Sequence, residues 1–268
     1  MQIVMFTKLF KGLTLDEVAT HLNQVGFPGV DLLIRDGHQV TPAQPEGIAP
    51  AVALLMRAGL AVPMATTDVV EATPQAERVF AACREAGIGT IRLGYYKYAG
   101  QGYREIFDDA RRKLDGLDAL AGRTGVQLAI QLHGDTIHAS GAQTLRLLED
   151  HDPARISAYP DPGNQVVQDG RDDWRFTFDV LKPWLSCVGV KNGGWYPGTI
   201  NPMGQRQWHS DWTGIPDGMV PWDAVIRHLR ETGFGGYLTL HSHYEMPLGQ
   251  ALDQTLLDLR YVKRQLES

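Results

Sequence analysis

Eight short runs of β-branched and aliphatic residues recur along the 268-residue chain, each followed by a stretch with helical spacing, and this alternation leaves few folds open. The runs are QIVMF (2–6), GVDLLI (29–34), AVPMA (61–65), TIRL (90–93), VQLAIQ (126–131), ISAYPD (156–161), SCVGV (186–190) and YLTLH (237–241). Helix signals fill the intervals. Thr14 to Glu17 has the composition of a capping box, with Leu15, Val18, Leu22 and Val25 on one face and Gly26 as the stop. Ser140 to Gln143 opens a second helix, and Ile106, Ala110, Leu114 and Leu117 mark a third. With no Pro/Gly/Ser-rich linker and no shift in composition, the pattern predicts one (β/α)8 TIM barrel, a single domain over 1–268. A doubly wound open sheet is the competing arrangement. It would carry a Gly-rich phosphate turn after the first strand, which this chain lacks, so no nucleotide cofactor is expected.

One segment breaks the rhythm. Residues 191–220 show no period and are rich in Gly, Pro and Trp. A loop of that length in a compact domain is functional or disordered, and Trp195, Trp208 and Trp212 argue for order. It is expected to cap the cavity after the seventh strand, with His209 or Trp212 near a bound ligand.

In a barrel of this kind, chemistry sits where strands end, and side chains alternate between the barrel interior and the helices. In VQLAIQLHG, Leu128, Ile130 and Leu132 must face the helices, which sends Ala129, Gln131 and His133 inward. The same parity sends Arg92, Asp161, Lys191 and His241 inward from four other strands. Five strands thus deliver a polar residue to one end of one cavity. Each has a plainer reading: Arg92 as an ion-pair partner, Asp161 as a turn cap before Pro162-Gly163-Asn164, His133 as a loop hydrogen-bonder. Lys191 is harder to dismiss, since burying an unneeded ammonium costs on the order of 3 kcal/mol. His243 shares the side of His241 but lies beyond the strand. His21, His151 and His228 read as surface residues.

Net charge decides which partners to exclude. At −6 the chain is a poor match for a nucleic-acid backbone, although one local basic pocket for a phosphate is compatible with it. Two cysteines, Cys83 and Cys187, build no disulfide framework and suit a reducing cytoplasm. The start lacks a signal-peptide pattern and no run of eighteen apolar residues occurs, so neither export nor a membrane span is expected.

At AIQLHGD, DPGNQVVQDGRDDW, VGVKNGG and GFGGYLTLHSHYE the chain resembles the xylose isomerase-like TIM barrels, the superfamily of sugar phosphate isomerases and epimerases. The resemblance implies a divalent metal held by Glu, Asp, His and Glu from the last four barrel strands. Here only Asp161 is kept. Gln131 stands in place of the first glutamate, Gly189 of the histidine and His241 of the last glutamate, while Lys191 matches a lysine common in the family. A set of Gln131, Asp161 and His241 would hold Mg²⁺ or Mn²⁺ poorly and would favour Zn²⁺. Arg35-Asp36-Gly37-His38 and His241-Ser242-His243-Tyr244 further resemble one branch of the superfamily.

The expected function is an enzyme acting on a small carbohydrate by moving a proton next to a carbonyl, as isomerase, epimerase or lyase. His241 would be the base, with an ordinary histidine pKa suited to neutral pH. Lys191, with Arg92 or Arg35, would stabilise the oxyanion, and Asp161 would orient the histidine or bind metal. Gln131, His38, His133, His209, Trp212 and His243 complete the expected substrate contacts. The rivals are a non-catalytic sugar-binding barrel and, because AP endonucleases share the fold, a repair enzyme. A homo-oligomer is compatible with all of these.

Overall fold

The computed structural model describes residues 1–98, 100, 102–168 and 173–268. The last four residues of the 168–172 stretch, part of one quoted motif, lie outside it. Eight strands form one parallel sheet: β1 (Gln2–Phe6), β2 (Gly29–Leu33), β3 (Ala61–Thr66), β4 (Thr90–Arg92), β5 (Gln127–Gln131), β6 (Ile156–Tyr159), β7 (Cys187–Val190) and, after an inserted hairpin of β8 (Asn192–Ile200) and β9 (Arg206–Thr213), β10 (Tyr237–Leu240). The order is β6-β5-β4-β3-β2-β1-β10-β7. The gap between β6 and β7 is drawn shut by the Gly189 N–H donating to the Pro160 carbonyl at 2.9 Å and the Ser186 N–H to the Ala158 carbonyl at 3.2 Å. With helices between the strands, this is a nearly closed (β/α)8 barrel.

The helix signals are realised by the chemistry that announced them. Thr14 accepts from the Glu17 N–H at 3.3 Å while the Glu17 carboxylate accepts from the Thr14 N–H at 2.7 Å, and Gly26 ends the helix at φ +91°. Ser140 and Gln143 repeat the reciprocal pair.

Parity divides the core in two. Val4, Met64, Ala129, Tyr159 and Cys187 fill the barrel interior, whereas Leu128, Ile130, Val188, Val190, Leu238 and Leu240 belong to the larger layer between sheet and helices. Two expectations need correction. Residues 191–220 are not irregular: they contain the β8–β9 antiparallel hairpin. Its alternation was hidden because both faces carry mixed polar and aromatic residues and Pro197 interrupts the run. His151 is not at the surface but is 7% exposed, its Nδ1 3.2 Å from Asp118.

The helix Trp222–Glu231 is anchored beneath the hairpin by Trp222, which is fully buried and donates its indole N–H to the Lys191 carbonyl at 3.0 Å. Trp222→Ala should cost about 3–5 kcal/mol. Denaturant unfolding checks this, and a cost below about 1 kcal/mol would mean that the indole is not a structural anchor.

Candidate active site

Arg92 and Gln131 are the last residues of β4 and β5, Asp161 lies two residues past β6, and Lys191 and His241 directly follow β7 and β10. All five are 5% exposed or less and meet at the C-terminal end of the barrel. They are joined in a line of contacts. Arg92 Nη1 donates to the Tyr95 hydroxyl and, at 2.7 Å, to Gln131 Oε1. Gln131 Nε2 donates to Asp161 Oδ2 at 2.7 Å, and the Lys191 ammonium stands 3.2 Å from that same oxygen. The Asn164 N–H donates to Asp161 Oδ1 at 2.9 Å, so the turn-capping role and the site role belong to one side chain.

Two glycines make the ion pair possible. A Cβ on Gly189 would lie 2.4 Å from Asp161 Oδ2, and one on Gly163 would lie 2.7 Å from Lys191 Cγ. The histidine that the family resemblance places at 189 therefore could not share this arrangement with Asp161. Burial pulls the Lys191 pKa down from the usual lysine value, and Asp161 partly restores it. Removing either partner of such a buried pair strands the other, at about 3–5 kcal/mol.

On the far side, the Tyr159 hydroxyl is 2.8 Å from His241 Nε2. Asp161 does not orient this histidine, as the sequence suggested; Tyr159 does. Burial, with the Lys191 charge behind it, holds the His241 pKa well below the usual histidine value. His241 is thus neutral at pH 7, though not because its pKa is ordinary. If Nε2–H donates to the Tyr159 oxygen, Nδ1 keeps a lone pair; in the opposite tautomer Nδ1 carries the proton and the ring can only give one. His243 lies 5.5 Å from His241 and 5.6 Å from Trp212, whose ring is 4.6 Å from the Lys191 ammonium. The hairpin thus contributes one wall.

The remaining expected contacts separate. His133 packs 4.3 Å from Tyr95 and closes the wall beside Arg92. Arg35 and His38 form a turn at the rim, closed by the His38 N–H donating to the Arg35 carbonyl at 3.1 Å, and Arg35 is paired with Asp68. His209 is not brought to the cluster. It is exposed on the hairpin, 5.9 Å from Tyr196.

Sequence reasoning missed four members: Lys8, Asp31, Tyr95 and Tyr159. Asp31 had a signal, a lone carboxylate at an inward position within GVDLL. It is fully buried, and desolvation pushes its pKa up to about 7.

These donors do not fit the family's divalent metal. Gln131 turns its N–H donors toward Asp161, Lys191 places a cation on the same carboxylate oxygen, and Gly189 offers no ligand. The proposed set of Gln131, Asp161 and His241 keeps one formal charge, and that charge is already neutralised by Lys191. Among the described residues no three His, Cys, Asp or Glu side chains form a metal-binding group.

Residues 19–264 match the family described as xylose isomerase-like TIM barrel, and the chain belongs to it. No curated protein matches it in sequence. Among solved structures, a xylose isomerase-like TIM barrel protein from Mycobacterium smegmatis in complex with magnesium is 16% identical, covering 99% of this chain and 97% of its own, at TM-score 0.71. The 3-keto-D-glucoside 4-epimerase of E. coli is 15% identical over 98% and 99%, at TM-score 0.70. The D-allulose 3-epimerase of Methylomonas sp. is 14% identical over 99% and 98%, at TM-score 0.75.

Two outcomes follow. Purified protein should carry no stoichiometric Zn²⁺, Mn²⁺ or Mg²⁺ by elemental analysis, and a chelator should leave its melting temperature unchanged; one tightly held equivalent would contradict this reading of the donors. Asp31, with its folded pKa raised from 3.8 to about 7, stabilises the fold only while protonated. Its contribution is full below pH 3.8 and is lost as pH rises to about 7. Relative to Asp31→Asn, the wild type should therefore lose about 2–4 kcal/mol across that range, measured by denaturant titration at several pH values.

Proposed function

We propose that this chain is an isomerase- or epimerase-like enzyme of a small sugar or sugar derivative, acting by proton transfer next to a carbonyl without a resident metal. One observation carries the reading: a buried neutral imidazole, His241, stands in the same cavity end as the buried cations Lys191 and Arg92. A neutral base beside fixed positive charge is what enolisation needs, because negative charge develops on the carbonyl oxygen as the α-proton leaves. The family and its epimerase neighbours support the reaction class.

In this mechanism the substrate carbonyl oxygen points at the Lys191 ammonium and the Arg92 guanidinium. His241, donating Nε2–H to Tyr159, takes the α-proton on Nδ1. The enediolate is held by the two cations; delivery of the proton to the opposite face of the same carbon gives the epimer, and delivery to the neighbouring carbon, with the hydroxyl proton passing from one enediol oxygen to the other, gives the isomer. Asp161 and Gln131 keep Lys191 and Arg92 in place, and Trp212 with His243 forms the wall against the sugar. If the enediolate instead expels a β-hydroxyl, the same groups perform a dehydration, so lyase chemistry is the second reading; a solved neighbour of the fold is a probable 3-DHS dehydratase. The expected partners are small carbohydrates rather than nucleic acid or a membrane; among the described residues no helix is long and apolar enough to cross a membrane.

Exchange of substrate C–H for deuterium in D₂O, followed by NMR over a panel of ketoses and keto-sugar derivatives, tests the proposal. His241→Ala should slow exchange by about 10²–10⁴-fold. His243→Ala should act mainly on KM. The acid limb of the rate profile should fall below the ordinary histidine range, because the depressed pKa keeps His241 neutral to lower pH. A substrate exchanged equally fast by His241→Ala would remove the imidazole from the mechanism, and binding without exchange across the panel would make the barrel a sugar-binding protein.

A further inference from the structure

The chain leaves β10 without losing its two-residue alternation. His241 and His243 turn toward the cavity, where they meet Tyr159 and Trp212. Ser242 and Tyr244 turn the other way, onto the C-terminal helix (Leu248–Glu267). That helix receives them on one face, through Thr255 and Asp258, which at a spacing of three are neighbours on its surface. Thr255 donates its hydroxyl to the Ala251 carbonyl at 2.6 Å, which leaves its oxygen to accept from Ser242, also at 2.6 Å. The Tyr244 hydroxyl donates to Asp258 Oδ2.

Asp258 holds more than Tyr244. It is 1% exposed, and its other oxygen accepts from the Ile215 N–H at 2.8 Å and from Gln254 Nε2 at 3.1 Å. Ile215 lies just past Thr213, the last residue of the ribbon, and its carbonyl accepts from Asn192, the residue after Lys191. One carboxylate therefore joins two segments of the cavity: 241–244 with both histidines, and the foot of the ribbon that carries Trp212 and follows Lys191. They meet where His243 packs 5.6 Å from Trp212. Packing alone gives no reason for a carboxylate here. Burying one with hydrogen-bond donors and no cation costs more than burying an apolar side chain of similar size. What the carboxylate adds is two directional acceptors on one rigid helix.

We infer that Asp258 is a positioning residue: through Tyr244 and Ile215 it sets the distance between the histidines and the Lys191–Trp212 wall, and so the width open to a sugar ring. It acts through these two segments and not by touching substrate. This deepens the proposed function and rests on it for what the cavity does, not for how its walls are held. The leverage is large, because a misplacement of about 1 Å can cost a site about 10²-fold.

The full-length protein carries reporters that need no substrate. The ring signals of His243 and the indole N–H signal of Trp212 are assigned by NMR from their loss in His243→Ala and Trp212→Phe. Tyr244→Phe cuts one arm of the junction and should shift the His243 signal. Asp258→Ala cuts both and should shift His243 and Trp212 together. In a His243→Ala background, Asp258→Ala should still shift Trp212 whereas Tyr244→Phe should not, which separates the two arms. His21, on the helix Leu15–Val25, is the control and should stay in place throughout. Should Asp258→Ala fail to fold, Asp258→Asn, which keeps one acceptor, replaces it, and at least one of the two signals should move. On a sugar turned over by the wild type, Tyr244→Phe should raise KM by about 3–10-fold with kcat within about twofold, and should leave KM unchanged once His243 is alanine. A merely structural tyrosine would lower the amount of active protein, and with it kcat, while KM held. Signals of His243 and Trp212 that stay at their wild-type positions in the folded Asp258 variant overturn the inference, as does a KM equal in wild type and Tyr244→Phe. A wild type that exchanges no sugar on the panel sinks the proposed chemistry, and the signal shifts then decide the positioning role on their own.

Discussion

The contact between the Lys191 ammonium and the Asp161 carboxylate, 3.2 Å apart and almost closed to solvent, determines what the rest of the cavity can be. A lone buried ammonium or carboxylate would be unstable there, so each fixes the other, and two glycines are needed for them to meet. The pair places an ammonium against the one acidic residue that the chain shares with the metal-binding pattern. Gln131 completes the substitution, since its amide offers an acceptor to Arg92 and a donor to Asp161 at the same time, which an ionised glutamate could not.

Much of this was legible in the sequence because strand parity is a hard rule. Once Leu128 and Ile130 were assigned to the helices, Gln131 had to face inward, and similar reasoning placed Arg92, Asp161, Lys191 and His241. Strand positions followed from short apolar runs, and helix starts from side chains that cap their own backbone. What could not be read were relations across the cavity. Parity gives the inward direction of Tyr159 but not that its hydroxyl ends 2.8 Å from His241. It gives Asp161 a face but not a partner, so the contact of Asp161 with Lys191 and that of His241 with Tyr159 could not be told apart from the reverse. Lys8, with no period around it, had no signal beyond its position after the first strand. The hairpin was missed for the converse reason: a ribbon exposed on both faces does not alternate between oil and water.

The neutral histidines and the cations are linked. Each positive charge at this end of the barrel disfavours protonation of His241 and His243, whose pKa values are depressed by burial first and by Lys191 next.

The hairpin has a mechanical consequence. Lys191 immediately precedes Asn192, the first residue of the projecting ribbon, so motion of the ribbon could pull directly on the ammonium. The Asn192 side chain prevents this: its amide donates to the Ile215 and Val220 carbonyls at 2.7 and 2.9 Å, and its oxygen accepts from the Val220 N–H at 2.9 Å. This clamp sits at the fulcrum. Beyond it the arm, with Trp208 and Met203 open to solvent, can bend or change in sequence while the charge at its root stays still. The position of the ammonium is therefore insulated from whatever happens at the tip of the ribbon.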